Sequence, residues 1–442
     1  MRLSNAIMSR AGACCGSMRF LAGLFIVFCL CPARAEGQAF TLVPSVTVRE
    51  EANDNILLSQ SDPKQEYITS LIPGFLLHYE TPFWLWDAVY SRDFRHYERH
   101  TVADDAADTL TLRSRTEVAK NFFFVEISDD LARTSLDVTR DFTAQSQVVN
   151  QSERNIFTVN PYVVLTSSPK MYSVLGHSYT NTTFSDDAGI DRTDDITYLQ
   201  TRSEISSRLT MTAGIRYRQN RNIVQDFDQV DVFAGPGYAY AENCFISLMA
   251  GNTWFEAGPK KETSGTFFDV GIVHRYSTDN RLTQPYGDLV IRHWFPAFTL
   301  NLQAGVQFIE EPGRVLSRQD QYGASVTKET LRAYFNLSAA QREYIDLDSK
   351  ELLAKVEETQ GTFRYRITQR TTGTVGAGFQ HSEDRAVQSI TRTELYTARL
   401  EYQLSARATL AGEYRYIESS SPQTALNNYR NNRQIVELRM TF

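Results

Sequence analysis

Apolar and polar residues alternate along most of the chain with a period of two, the spacing that sends successive strand side chains to opposite faces. The clearest stretch is Thr299 to Phe308. There Leu300, Leu302, Ala304, Val306 and Phe308 share one face, and Thr299, Asn301, Gln303, Gly305 and Gln307 the other. Met211, Ala213, Ile215 and Tyr217 oppose Thr212, Gly214, Arg216 and Arg218, and Phe363, Tyr365 and Ile367 oppose Arg364, Arg366 and Thr368. The last residues keep the rhythm, with Val436, Leu438, Met440 and Phe442 set against Glu437, Arg439 and Thr441. Half-apolar strands of this kind need either a second packed layer or lipid on one side and a polar interior on the other.

The spacing of turns favours the second solution. Phe40 to Glu50, Tyr67 to Tyr79 and Trp84 to Tyr97 read as strands, joined by polar Glu51 to Lys64 and by the tight Glu80-Thr81-Pro82 turn. Later strand pairs meet at Lys120-Asn121, Ser167-Ser168-Pro169-Lys170, Arg208, Glu242-Asn243, Arg370 and Ser405-Ala406-Arg407. Longer polar stretches such as Asp137 to Ser152, Gly258 to Thr263 and Glu418 to Arg430 separate the pairs. Short turns at one end and long loops at the other belong to a barrel with periplasmic and outer sides, and about 9–11 residues per strand suffice to cross. The expected fold is all-β, a transmembrane antiparallel barrel of about 18–22 strands, with 20 favoured because both ends lie on the periplasmic side. Two regions resist. Arg275 to Trp294 is too short for two strands and too polar for one, and Glu343 to Lys355 reads as a short helix or lumen plug. Gly235-Pro236-Gly237 should distort its strand, since proline lacks a ladder donor.

Residues 1–35 read as a cleaved signal peptide and 36–442 as the barrel. Arg2, Arg10 and Arg19 precede the short apolar run Leu21 to Leu30, and Ala33-Arg34-Ala35 supplies small residues for cleavage. Four of the five cysteines fall in this leader, so the remainder keeps Cys244 alone and forms no internal disulfide. The leader also holds four basic residues and no acidic ones, so the formal net charge of −7 becomes −11 without it. Such a balance argues against nucleic acid as a partner. No later segment is long and apolar enough for a helical span, which needs about 20 residues.

Arginines on a lipid face would cost about 2–4 kcal/mol each at the midplane. Arg216, Arg218, Arg364, Arg366 and Arg415 are therefore expected in the lumen, with Glu126, Glu394, Glu413 and Glu437 as candidate partners. Trp84, Trp86, Phe83 and Phe122 flank short turns, as an interfacial aromatic girdle would. No cofactor or metal site is expected. Acidic clusters at Asp104-Asp105, Asp186-Asp187, Asp191 and Asp194-Asp195 lack a cyclic calcium-loop pattern. His177-Ser178, with Asn181 nearby, is the most tempting hydrolytic set, but neighbours on a strand point to opposite faces. His177 is read as a lumen or girdle residue.

Leader, repeated hairpins and the terminal Phe442, with Met440 and Leu438 before it, resemble bacterial outer-membrane β-barrel porins. The stretch Pro44-Ser-Val-Thr-Val-Arg-Glu-Glu-Ala-Asn-Asp-Asn-Ile56 resembles the opening strand of barrels associated with PEP-CTERM protein sorting and exopolysaccharide gene clusters. The resemblance implies residence in the cell outer membrane, contact with lipid and lipopolysaccharide, and a C-terminal signal for the barrel-assembly machinery. It also implies a link to envelope polysaccharide export. The function expected is a porin-like conduit for polysaccharide or small polar solutes. The alternatives are a non-conducting structural or surface-interaction barrel and an outer-membrane hydrolase.

Overall fold

The computed structural model describes residues 39–135, 151–185, 189–222, 226–242, 244–257, 261–271, 291–294, 298–309, 317–346, 351–385, 388–423 and 428–442. The expected signal peptide lies outside them, as do residues 137–150, 186–187, 243, 258–260, 275–290, 347–350 and 424–427 of the stretches singled out above. The strands in chain order are β1 (Ala39–Asn53), β2 (Glu66–Glu80), β3 (Trp84–Tyr97), β4 (Asp105–Ala119), β5 (Phe123–Ser135), β6 (Gln151–Ser168) and β7 (Met171–Phe184). There follow β8 (Arg192–Glu204), β9 (Leu209–Asn222), β10 (Phe227–Ala241), β11 (Cys244–Ala257), β12 (Lys261–Gly271), β13 (Ile291–Trp294) and β14 (Thr299–Ile309). The last are β15 (Ser317–Glu329), β16 (Ala333–Asp346), β17 (Leu352–Arg366), β18 (Thr371–Asp384), β19 (Ser389–Ser405), β20 (Ala408–Ser420) and β21 (Tyr429–Thr441).

Apart from β12 and β13, each strand pairs antiparallel with its chain neighbours, and β1 pairs with β21, so the sheet closes on itself. One interval is irregular. Both β12 and β13 lie between β11 and β14, through Phe245 opposite Arg292 and Val270 opposite Ala304. They fill one place in the ring, so the 21 described strands make 20 staves, an even number as the turn pattern requires. This resolves the resistance of the sequence near Trp294: Ile291–Trp294 is a half-stave.

Two expectations are corrected. Glu343 to Lys355 carries no helix among its described residues, because Glu343–Asp346 ends β16 and Leu352–Lys355 opens β17. Its broken alternation comes from a packed strand end, where Tyr344, Ala354 and Val356 form a buried cluster. Lys261 to Thr263, read as linker, opens β12.

The two faces differ as the period predicts. On one, Val48, Ile215, Tyr217, Val375, Leu400, Tyr414 and Val436 stand exposed around the ring. Burying one such side chain in lipid rather than water stabilises by about 1.5–3 kcal/mol. The other face carries ion pairs and amides. Gly235-Pro236-Gly237 breaks the ladder as expected: β10 and β11 pair up to Ala234 and resume at Gly237. Gly235 is required there, since a Cβ would lie 1.6 Å from the Leu248 carbonyl oxygen.

Candidate functional site

The inner face at the closing seam is built from opposite charges two residues apart on one strand, which the pleat places on one face. Arg399 and Glu401 of β19 lie 2.8 Å apart, Asp93 and Arg95 of β3 2.9 Å apart, and Glu413 contacts Arg415 on β20. Across strands, Arg399 reaches Glu413 at 2.9 Å and Glu437 at 3.4 Å. Glu437 in turn meets Arg49 of β1 at 3.5 Å, and Arg49 spans to Asp93 at 3.6 Å. Arg95 lies 3.8 Å from Asp105, Asp105 2.5 Å from Arg133, and Arg133 3.8 Å from Glu153 of β6. The result is a belt of alternating charge across the seam. Each charge has an opposite neighbour, so partial burial leaves no carboxylate or guanidinium of the belt alone.

A second set of inner contacts sits on β8 to β11. Arg216 pairs with Asp231 at 2.5 Å and Arg218 with Asp194 at 2.6 Å, while Thr253 and Gln229 donate to Asp231 and Asn220 donates to Asp194. Asn220 and Asp231 are almost inaccessible.

Between these regions, β16 to β19 line a recess of about 380 Å³. Arg342 and Glu358, 2.6 Å apart, stand in it with Gln360, Thr362, Thr397 and Leu395. Arg364 lies in the same inner row, opposite Thr374, and Arg366 follows toward the short-turn end; both are exposed.

The loop after β1 folds against this inner wall. Ile56 packs with Ile68 and Tyr97, and Leu58 with Ile417 and Tyr429, against Leu395 of the recess. Asn55 fixes the bend: its side-chain amide donates to the Ser59 and Arg430 carbonyls at 2.8 and 2.9 Å, and its oxygen accepts from Ser59. Residues 54–65 thus form a strap across the inner wall from β2 to β20. On the neighbouring connection at the same rim, Asp104 accepts the Tyr97 amide and faces His96, and these two together, the amide first, hold its carboxyl below the usual carboxylate range.

The sequence reading missed the strap, Arg49, Asp93, Arg95, Arg399 and the recess. Opposite charges at i and i+2 were the available signal for the belt. The strap had a weaker one, the run Ile56-Leu57-Leu58 within a polar loop.

His177 stands on the outer face, not in the lumen, beside exposed Leu175 and Tyr179, with Nδ1 3.0 Å from the Thr197 hydroxyl. Ser178 points inward and is buried, so the hydrolytic pair is not assembled. The neighbouring carboxylates also divide: Asp194 takes Arg218 inside, whereas Asp195 lies 3.4 Å from His177 outside. Glu394, expected in the lumen, faces outward instead and accepts the Tyr396 hydroxyl. Cys244 is buried with its Sγ 3.9 Å from His293 Nδ1. At the end of the chain, Leu438 lies between Val48 and Leu410, Met440 between Val46 and Ala408, and the Phe442 amide donates to the Pro44 carbonyl.

No family model matches the chain. No curated protein matches it in sequence. Among solved structures it is similar to the FrpB iron transporter from Neisseria meningitidis (F3-3 variant), at 8% identity and a TM-score of 0.49, covering 90% of this chain and 81% of that one. It is also similar to the siderophore receptor PirA from Pseudomonas aeruginosa, at 8% identity and a TM-score of 0.48, covering 93% of this chain and 81% of that one. A third is Pseudomonas aeruginosa OpdK with vanillate, at 8% identity and a TM-score of 0.41, covering 91% and 99%. The closed ring, its apolar outward band and its charged inner face make this chain an outer-membrane β-barrel.

Proposed function

We propose that the barrel is a porin-like conduit for polar solutes, narrowed by the strap of residues 54–65. The observation that carries this reading is the belt of alternating charge from Glu401 to Glu153 on the inner face. A ring of 20 staves encloses more space than side chains alone fill. A wall of paired opposite charges presents donors and acceptors together and suits hydroxyl-rich solutes. Arg216, Arg218, Arg364, Arg366, Arg415, Glu413 and Glu437 are lumen-lining groups in this proposal. The resemblance of Pro44 to Ile56 to barrels of exopolysaccharide clusters extends it to envelope polysaccharide traffic. Leu438, Met440 and Phe442 serve as the signal read by the barrel-assembly machinery, and the outward apolar band faces lipid and lipopolysaccharide.

A second reading, a non-conducting structural or surface-interaction barrel, draws on the strap and on the near-inaccessible inner residues Asn220 and Asp231. Planar-bilayer recording separates the two. The conduit reading expects discrete open-channel currents from folded protein, and larger ones when Ile56→Ser and Leu58→Ser release the strap. Silence in both proteins at several voltages, with folding verified by heat-modifiable migration, would leave the structural barrel.

A further inference from the structure

Five of the short turns repeat one small design. Ser168-Pro-Lys170, Ser206-Ser-Arg208, Thr330-Leu-Arg332, Thr368-Gln-Arg370 and Ser405-Ala-Arg407 each place a hydroxyl residue two positions before a cation. In all five the hydroxyl oxygen accepts the backbone N–H of that cation, at 3.3, 3.3, 3.4, 3.2 and 3.2 Å. The bond fixes the turn and leaves the cation at its tip, and Lys120 stands likewise in the Lys120-Asn121 turn. All six cations are exposed, and among the described residues none has a carboxylate within ion-pair distance. Glu80, Glu117, Glu204, Glu242 and Glu329 share this rim, but so do Arg202, Lys328 and Arg366 at the strand ends, so the cations are in excess there. That excess runs against the acidic balance of the whole chain.

Large apolar residues flank the same turns. Leu331 is 94% exposed, and Ile205, Ile367 and Leu404 are about half exposed. A soluble polyanion would have no use for them. A membrane interface takes both kinds of side chain at once, the apolar one among acyl chains and the cation at headgroup level.

We infer that the short-turn rim is a phospholipid-binding collar, in which Lys120, Lys170, Arg208, Arg332, Arg370 and Arg407 engage the phosphates of anionic headgroups. The turn hydroxyls are positioning groups that present five of these cations, all but Lys120.

The test uses the full barrel reconstituted in vesicles of phosphatidylcholine and phosphatidylglycerol, then released in mild detergent for native mass spectrometry of retained lipid. Wild type is expected to retain phosphatidylglycerol above its share in the vesicle. Replacing all six cations by Gln should lower that enrichment about five-fold, from the attraction of one basic side chain to an anionic surface. A three-site variant, K170Q/R332Q/R407Q, should give an intermediate loss, and it serves if the six-site protein does not fold. Equal enrichment in wild type and a folded variant would overturn the collar. So would cation-dependent binding of soluble alginate by wild type without phosphatidylglycerol enrichment, which would assign the rim to a polyanion instead.

Discussion

The seam where β1 meets β21 and the sector where β11 meets β14 close the same ring in opposite ways. At the seam the partners come from the two ends of the chain, so no hairpin sets their register, and closing so long a loop carries an entropic cost. Side chains supply what a turn supplies elsewhere. Glu51 and Arg433 form a bidentate pair at 2.7 and 2.8 Å, both almost fully buried. Asn431 donates to Asn53 and to the Asn55 carbonyl, and Asn432 donates twice to Asp54. In the β11–β14 sector the neighbours are close in sequence, yet β12 and β14 share one register pair and so do β11 and β13. There β11 pairs along its length with β12, and β13 with β14, while the ladder between the two pairs is thin. Closure between distant strands therefore needs chemical specificity, and closure between near ones does not.

Breaking the seam should have the largest effect. Glu51→Ala strands the Arg433 guanidinium in a buried site and is expected to destabilise by about 3–5 kcal/mol. Urea unfolding followed by heat-modifiable migration measures the loss. The double variant Glu51→Leu/Arg433→Met should recover most of it, because paired removal leaves no orphan charge. No recovery would point to packing rather than charge as the basis of the clasp.

Asn55→Ala comes next. It frees the strap from both the Ser59 and Arg430 carbonyls and should cost about 1–3 kcal/mol. It should also expose residues 54–65 to proteolysis, and an unchanged digestion pattern would count against the strap. In the contrasting sector, Leu300→Ala on the outward face should cost about 2 kcal/mol, at about 0.8 kcal/mol per methylene. A loss there as large as that of Glu51→Ala would erase the distinction between the two regions.

Much of the architecture was readable from the chain because strand period and turn chemistry are local properties. Thr299 to Ile309, the Arg208 and Arg370 turns and the even number of staves follow from neighbours within a few residues. The belt was only half readable. Arg364 and Arg366 announced themselves by alternation, but the meeting of Arg399 with Glu437 or of Arg49 with Asp93 depends on register between distant strands. The Asn53-Asp54-Asn55 run was visible as part of a family resemblance, while its work as a clasp needed β21 beside it. The strap was hidden for another reason. Ile56 and Leu58 sit in a loop whose composition says solvent, and only Tyr97, Ile417 and Tyr429 on the inner wall give them a place to go.

The barrel depends on the separation of two faces, and neighbouring residues of β19 test that separation directly. Thr397 lines the inner recess, whereas Ala398 lines an apolar hollow on the outer wall with Leu400 and Val436. Thr397→Cys and Ala398→Cys, each in a Cys244→Ser background, would be exposed in vesicles to a water-soluble thiol reagent and to a lipid-soluble one. The water-soluble reagent is expected to modify position 397 and not 398, and the lipid-soluble reagent to do the reverse. Modification of both positions by the water-soluble reagent, or of 398 alone, would contradict that separation.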